Sequence, residues 1–267
     1  MSMTINTNVM SLNAQRNTIQ NSASMATTLQ RLSSGLRVNS AKDDAAGLAI
    51  ATRMDTQVRG MNVAIRNAND GISMAQTAEA GMNTITEMLQ RMRELSVQAA
   101  NSTNTTGTNG DIDKLNDEYT QLSAEVKRNL ESVQFNGQTI LSGVANDYTF
   151  QVGANSGATQ QITILSGSLD LSQTAVSGVY GTATSALSVS ANAGNSANLV
   201  AIDAAISAVN TSRAKLGAVQ SRFENTISFL RSAVEQQAAA RGRIMDADFA
   251  AETANLSRAQ ILQQAGT

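Results

Sequence analysis

From Met25 the large apolar residues fall at Met25, Leu29, Leu32 and Leu36, steps of four, three and four, which is the spacing of a coiled-coil seam. Upstream, Ile5, Val9, Leu12 and Ile19 continue a looser version of that face. The pattern predicts a helix over about residues 5–35 ending at Gly35, a residue suited to the left-handed position after a helix. Residues 36–46, LRVNSAKDDAA, break the period and read as a connector, with Ser40 and Asp43 at capping-box spacing. Adjacent Asp43 and Asp44 point apart on a helix, so capping explains them better than a catalytic carboxylate pair. A second seam follows: Ile50, Met54, Val58, Met61, Ile65, Ala68, Ile72, Ala75, then Met82, Ile85, Leu89 and Met92. It predicts one helix to about residue 100. At 1.5 Å per residue that is a rod of roughly 80 Å, too long for an ordinary globular domain of this mass, so an elongated molecule is expected.

NSTNTTGTNGD, residues 101–111, is a loop by composition, and a third helix follows with Leu115, Tyr119, Leu122, Val126 and Leu130 on one face. Then the character changes. Residues 132–202 carry only two charges, Asp147 and Asp170, and Gly, Ser, Thr, Ala and Asn dominate. Within this stretch Tyr148, Phe150 and Val152 alternate with polar residues, as do Ile162 and Ile164 beyond the turn-rich VGANSGATQ. A β-hairpin is predicted there, with weaker extended structure around 175–190. Helical period resumes through Leu199, Ile202, Ile206, Val209, Leu216, Phe223, Ile227, Leu230 and Val234, with Arg213 and Gln220 interrupting the seam. A last segment from Asp246 carries Phe249, Leu256, Ile261 and Leu262. The expected fold is mainly α: a long-helix coiled-coil bundle, with a small β-hairpin and polar insertion over 132–198 between N- and C-terminal helices. Seams at both ends that one thin rod cannot bury call for partners.

Composition narrows the chemistry. The chain of 267 residues has no His, no Cys and no Pro, so a Ser-His-Asp triad, an HExxH site and Cys-ligated zinc are all impossible. No metal and no cofactor is expected, and an enzyme is disfavoured. Three Tyr, five Phe and no Trp suit thin helical layers better than a broad globular core. A net charge of −2 gives no broad attraction to nucleic acid or to an anionic membrane, and no apolar run is long enough to span a bilayer. The start, MSMTINTNVMSLNAQRN, lacks a basic region followed by an apolar core and is not a cleavable secretory signal.

Six strings then make the sequence recognisable: TINTNVMSLNAQRN at the start, LQRLSSGLRVNSAKDDAAGLAIA at 29–51, GMNVAIRNANDGISMAQTAEA at 60–80, LQRMRELSVQAAN at 89–101, FNGQTIL at 135–141 and the closing DADFAAETANLSRAQILQQAGT. In this order they resemble bacterial flagellin over nearly the whole chain. The resemblance implies a hairpin-like molecule whose ends pair in a coiled coil: an inner domain of residues 1–42 and 246–267, and a rod-like helical domain of 43–245 without large outer domains. It also implies a family tail beyond QQAGT that this chain lacks.

By that resemblance the chain is a structural subunit of the flagellar filament, self-assembling into a helical homopolymer for motility. It would be exported unfolded by the flagellar type III system, be located outside the cell on the flagellum, and meet an export chaperone and the flagellar cap and hook-associated proteins. The hook–filament junction protein is the alternative. The assembly seam expected to bury apolar area between subunits is Val9, Leu12, Ile19, Met25, Leu29, Leu32, Leu36, Leu256 and Ile261, in termini that are disordered until neighbours arrive. The family also implies a host partner, Toll-like receptor 5, on LQRMRELSVQAAN. Arg91, Leu95 and Glu118 are the expected contacts, flanked by Gln90, Arg93, Glu94 and Gln98. In that reading Arg91 offers a planar fork and Leu95, one turn on, an apolar knob. Read without the family, the same charges are simply solvated. The Ser/Thr-rich stretch 153–198 is open to O-glycosylation or is a plain solvated loop.

Overall fold

The computed structural model describes residues 8–105, 110–143, 147–172, 174–180 and 192–266. Helix α1 spans Val9–Ser34. The Asn8 side chain accepts the Ser11 N–H at its start, and Gly35 ends it with φ 71°, donating its N–H to the Arg31 carbonyl. The helix therefore ends at Gly35, where the sequence placed its end, and Leu36 lies just beyond it. The left-handed turn throws the chain off the helix axis, and Leu36 forms an isolated antiparallel bridge with Asp246. It packs there on a small cluster of Val38, Ala51 and Met245.

Asp43 and Asp44 divide the connector's work. Asp43 accepts the Ser40 hydroxyl and the N–H groups of Ser40 and Asn39, and these bonds hold its carboxyl below the usual carboxylate range. Asp44 accepts the Gly47 N–H at 2.8 Å and so caps α2, Ala45–Ala99, a helix of 55 residues. The other elements are α3 (Asp111–Ser132), β1 (Gln134–Phe135), β2 (Gln138–Thr139), β3 (Tyr148–Gln151), β4 (Gln161–Ile164), two single-turn helices α4 (Ser166–Leu169) and α5 (Ser177–Tyr180), α6 (Asn192–Met245) and α7 (Phe249–Gly266).

The chain divides into two compact units, Met1–Gly60 with Ser232–Thr267, and Met61–Arg231. In the first, α1 and α7 run antiparallel: Arg31 lies against Glu252, while Asn21 and Leu262 line the same groove further out. A backbone clasp joins their inner ends. Arg37 and Val38 donate N–H groups to the Met245 carbonyl, Ala247 donates to that of Gly35, and the Arg37 guanidinium reaches the Ile244 carbonyl at 2.6 Å.

The second unit holds the main core. Met74, Met82, Ile85, Leu89, Met92 and Leu95 of α2 meet Tyr119, Val126 and Leu130 of α3 and Ile202, Val209, Leu216 and Phe223 of α6. From Ala68 to Met92 the seam read from the sequence is thus the buried face of this bundle, whereas Ile50 at its start is exposed. The interruptions in α6 also have partners. Gln220 donates to Glu79 at 3.2 Å, and Arg213 lies 3.9 Å from the same carboxylate.

The predicted hairpin is present as β3 paired antiparallel with β4, Tyr148 opposite Ile164 and Gln151 opposite Gln161. Phe150 meets Phe223 edge-on, ring centroids 5.6 Å apart at 89°. A Cβ at Gly71 would stand 2.6 Å from the Phe223 ring, so the ring occupies the space this glycine leaves. A second hairpin, β1–β2, turns at Asn136 and Gly137 with φ 50° and 77°, the positive angles that an Asn-Gly turn supplies. The extended structure expected from 175 is replaced by turns and α5 up to Tyr180; residues 181–190 lie outside the described residues.

Tyr119 is wholly buried in this unit. Burial pushes its phenol up to about 12, against a smaller opposing effect of its hydrogen bond with Ser96. Below pH 10 the group is neutral in both folded and unfolded chains and contributes no pH dependence. Between about pH 10 and about 12 the unfolded phenol ionises while the folded one does not, and stability falls. The slope is ~1.4 kcal/mol per pH unit, for a total of ~3 kcal/mol. Urea midpoints taken across that range should decline in the parent and decline less in Tyr119→Phe.

Candidate functional site: two interaction surfaces

Between α1 and α7 the only residues that count as buried among the described ones are Thr28, Glu252 and Ala259. The large apolar residues lie elsewhere. Val9 is 60% exposed, Leu12 56%, Ile19 70%, Phe249 59% and Ile261 65%. Leu29 and Leu262 are also exposed, while Met25, Leu32 and Leu256 are half-buried. Met25, Leu32 and Leu256 are thus partly covered within the chain, whereas Val9, Leu12, Ile19, Phe249 and Ile261 are left without cover. Scattered exposed leucines are ordinary on a protein surface; a row of them on two paired helices is not.

The second surface lies at the end of α2, in the unit Met61–Arg231. Gln90, Arg91, Arg93, Glu94 and Gln98 are all exposed. Arg91 sits between two carboxylates, its Nε 2.7 Å from Glu118 of α3 and its Nη1 3.0 Å from Glu94, and these bonds raise its already high pKa. Arg93 reaches the other way, its Nε 2.7 Å from Asp203 of α6, which raises its pKa similarly. Two arginines two residues apart thus tie α2 to both neighbouring helices. The fold brings Arg91, Glu94 and Glu118 into one network.

Leu95 is the exception. It is 1% exposed and belongs to the core, because it lies three residues after Met92 and extends the buried seam. The apolar knob of this face is Val97, half exposed and lining a shallow hollow with Gln90, Arg93, Glu94 and Gln98. The signal that finds Val97 is its position off the seam. Asp203 was also missed, since no local spacing connects it to Arg93.

Among the described residues no group of three His, Cys, Asp or Glu could hold a metal ion, and no helix is long and apolar enough to cross a membrane.

Long helices from both ends of one chain and a small hairpin insertion define a mainly helical protein with exposed apolar side chains on its terminal helices. Comparison with known proteins gives the family. The sequence model for the bacterial flagellin N-terminal helical region matches residues 5–146, and that for the bacterial flagellin C-terminal helical region matches 199–267. The flagellin of Halalkalibacterium halodurans is 42% identical over 263 residues, covering 98% of this chain and 93% of that protein. The crystal structure of Bacillus cereus flagellin aligns with TM-score 0.50 at 27% identity, over 66% of this chain and 94% of that one. A candidate flagellar hook-associated protein of Vibrio parahaemolyticus aligns with TM-score 0.60 at 12% identity, over 76% of this chain and all of that one, which is a likeness of fold alone. The chain belongs to the bacterial flagellin family. It is a structural subunit of the flagellar filament and assembles with copies of itself.

Proposed function

We propose that the uncovered apolar row on α1 and α7 is the surface through which one subunit holds the next. The observation that carries this is the exposure of Val9, Leu12, Ile19, Phe249 and Ile261 on helices already paired with each other. A heterologous contact whose rotation does not close gives an open helix of subunits. Residues 1–42 and 246–267 then form the inner layer of the polymer and 43–245 the layer outside it. So little is buried between α1 and α7 alone that the pair opens readily in the dilute chain and becomes fixed when neighbours cover it.

Export in an unfolded state through the flagellar type III apparatus, with a chaperone on the C-terminal segment, belongs to the same proposal. It places the filament outside the cell, with the cap and hook-associated proteins as neighbours. The chain's lack of Pro and Cys supports it, since refolding at the tip waits on no proline isomerisation or disulfide step. Seeded elongation followed by electron microscopy tests the filament role. Addition of many subunits in succession is expected; addition that stops after one layer favours the hook–filament junction reading instead.

The end of α2 is proposed as the contact for Toll-like receptor 5, through Gln90, Arg91, Arg93, Glu94 and Gln98 with Glu118. Arg91 is held in place by Glu94 and Glu118, and a pre-set guanidinium loses less freedom on binding. Arg91→Ala is expected to lower potency in a receptor reporter assay by about tenfold or more, the scale of an interface anchor. Unchanged potency would remove this surface from the proposal.

A further inference from the structure

The pairing of α1 with α7 rests on little apolar contact, so what sets the way these helices meet needs another cause. Their buried contact contains one ion pair. Arg31, in the last turn of α1, places Nη1 3.6 Å from Oε1 of Glu252, in the first turn of α7. The Glu252 side chain is only 11% exposed and that of Arg31 32%, and the Arg31 Nε is buried with no hydrogen-bond partner. An incompletely satisfied, largely buried pair is a poor source of stability, because removing both charges from water costs about as much as their attraction returns. Its better-attested use is to fix one arrangement among several of similar energy.

Alternatives exist here. The clasp at Gly35 and Ala247 holds the inner ends at one level, and beyond it the buried side chains Thr28 and Ala259 are small, with Met25, Leu32 and Leu256 only half-buried, so the apolar contact leaves the helices' rotation about their axes weakly specified. With Arg31 facing Glu252, Leu29 lies about 160° away round α1 and faces outward, as its exposure confirms.

We propose that Arg31 and Glu252 are the registry pair of the terminal helices: they fix the rotational setting at which α1 and α7 meet, and so determine which apolar residues are presented to the next copy of the chain. This rests on the reading of the apolar row as the contact between subunits. Both residues act through the helices they position, and neither need touch the neighbour.

The test uses the full chain in an apolar version, Arg31→Met with Glu252→Leu, and in a charge-reversed version, Arg31→Glu with Glu252→Arg. Each of these, and the parent with which they are compared, carries Asn21→Cys and Leu262→Cys, which line one groove in this otherwise Cys-free protein. Cross-linking yield reads the helix setting, seeded elongation reads assembly, and circular dichroism confirms that the helices persist. In the apolar version we expect unchanged helix content, at least about a tenfold loss of cross-linking and a similar loss of elongation rate, with recovery of both on charge reversal. Cross-linking equal to the parent's overturns the registry role whatever the filaments do. A fall in cross-linking with parental elongation overturns the step from registry to assembly. If the unsubstituted chain adds to no seeds, the filament contact reading fails, and the cross-linking comparison still decides the role of the pair.

Discussion

A chain carrying Leu12→Asp and Ile19→Asp is expected to lose seeded elongation while its Met61–Arg231 unit unfolds at the parental urea midpoint. In the isolated chain both side chains are more than half exposed, so the substitutions remove almost no burial and create no buried charge. In the filament the same positions would be covered by a neighbour. Full burial of Leu or Ile contributes ~1.5–3 kcal/mol each, and a carboxylate in that place opposes contact instead. Even ~2 kcal/mol per site, with no charge penalty, lowers the equilibrium for each added subunit by roughly a thousandfold. The same two charges at exposed polar positions a quarter-turn round the helix, Asn13→Asp and Gln20→Asp, separate this from a general effect of charge and should leave elongation within a few-fold of the parent. Parental elongation by the Leu12/Ile19 chain would place the subunit contact on another surface.

The largest stability effect is expected at Phe223→Ala. This ring is fully buried, meets Phe150 edge-on and fills the space beside Gly71, so three elements lose contact together when it is truncated. A phenylalanine-to-alanine change in a core costs ~3–5 kcal/mol, about a 1–3 M shift in urea midpoint for typical slopes. Gly71→Ala acts on the same contact from the other side, since the new methyl must displace the ring, and is expected to cost ~1–3 kcal/mol. Because the two share one space, Gly71→Ala should cost less in a Phe223→Leu background than in the parent. Additive costs would show that the ring and the glycine are energetically independent.

The helices were legible because their signal is long and repeats: Met82, Ile85, Leu89 and Met92 state a buried face four times over, and all four are in the core. The β3–β4 hairpin was legible from strict alternation on both sides of a turn-rich loop. The β1–β2 hairpin was not drawn from the sequence, although Asn136-Gly137 is a strong local signal. Its strands are two residues each, too short for alternation to register.

At the candidate surfaces the limit was different in kind. Periodicity shows that α1 has an apolar face, but not whether α7 or another molecule covers it; the exposure of Leu12 and Ile19 answers only the first half. Leu95 was placed at the surface by motif, yet its step of three from Met92 already assigned it to the core. Arg93 with Asp203, and Glu79 with Arg213 and Gln220, join residues more than a hundred positions apart, beyond any local pattern. The two seam interruptions in α6 are the places where such distant partners were needed.

Those cross-links give the unit Met61–Arg231 a directional mechanical character. Glu79 with Arg213 and Gln220, Gly71 under Phe223, and Arg93 with Asp203 join α2 to α6 at successive levels, like rungs. A force dragging one helix lengthwise past the other loads every rung at once. A force prising the helices apart from one end breaks them in turn, each at its own small cost. Under tension along the helices this unit should therefore yield late and all at once, and under peeling early and stepwise.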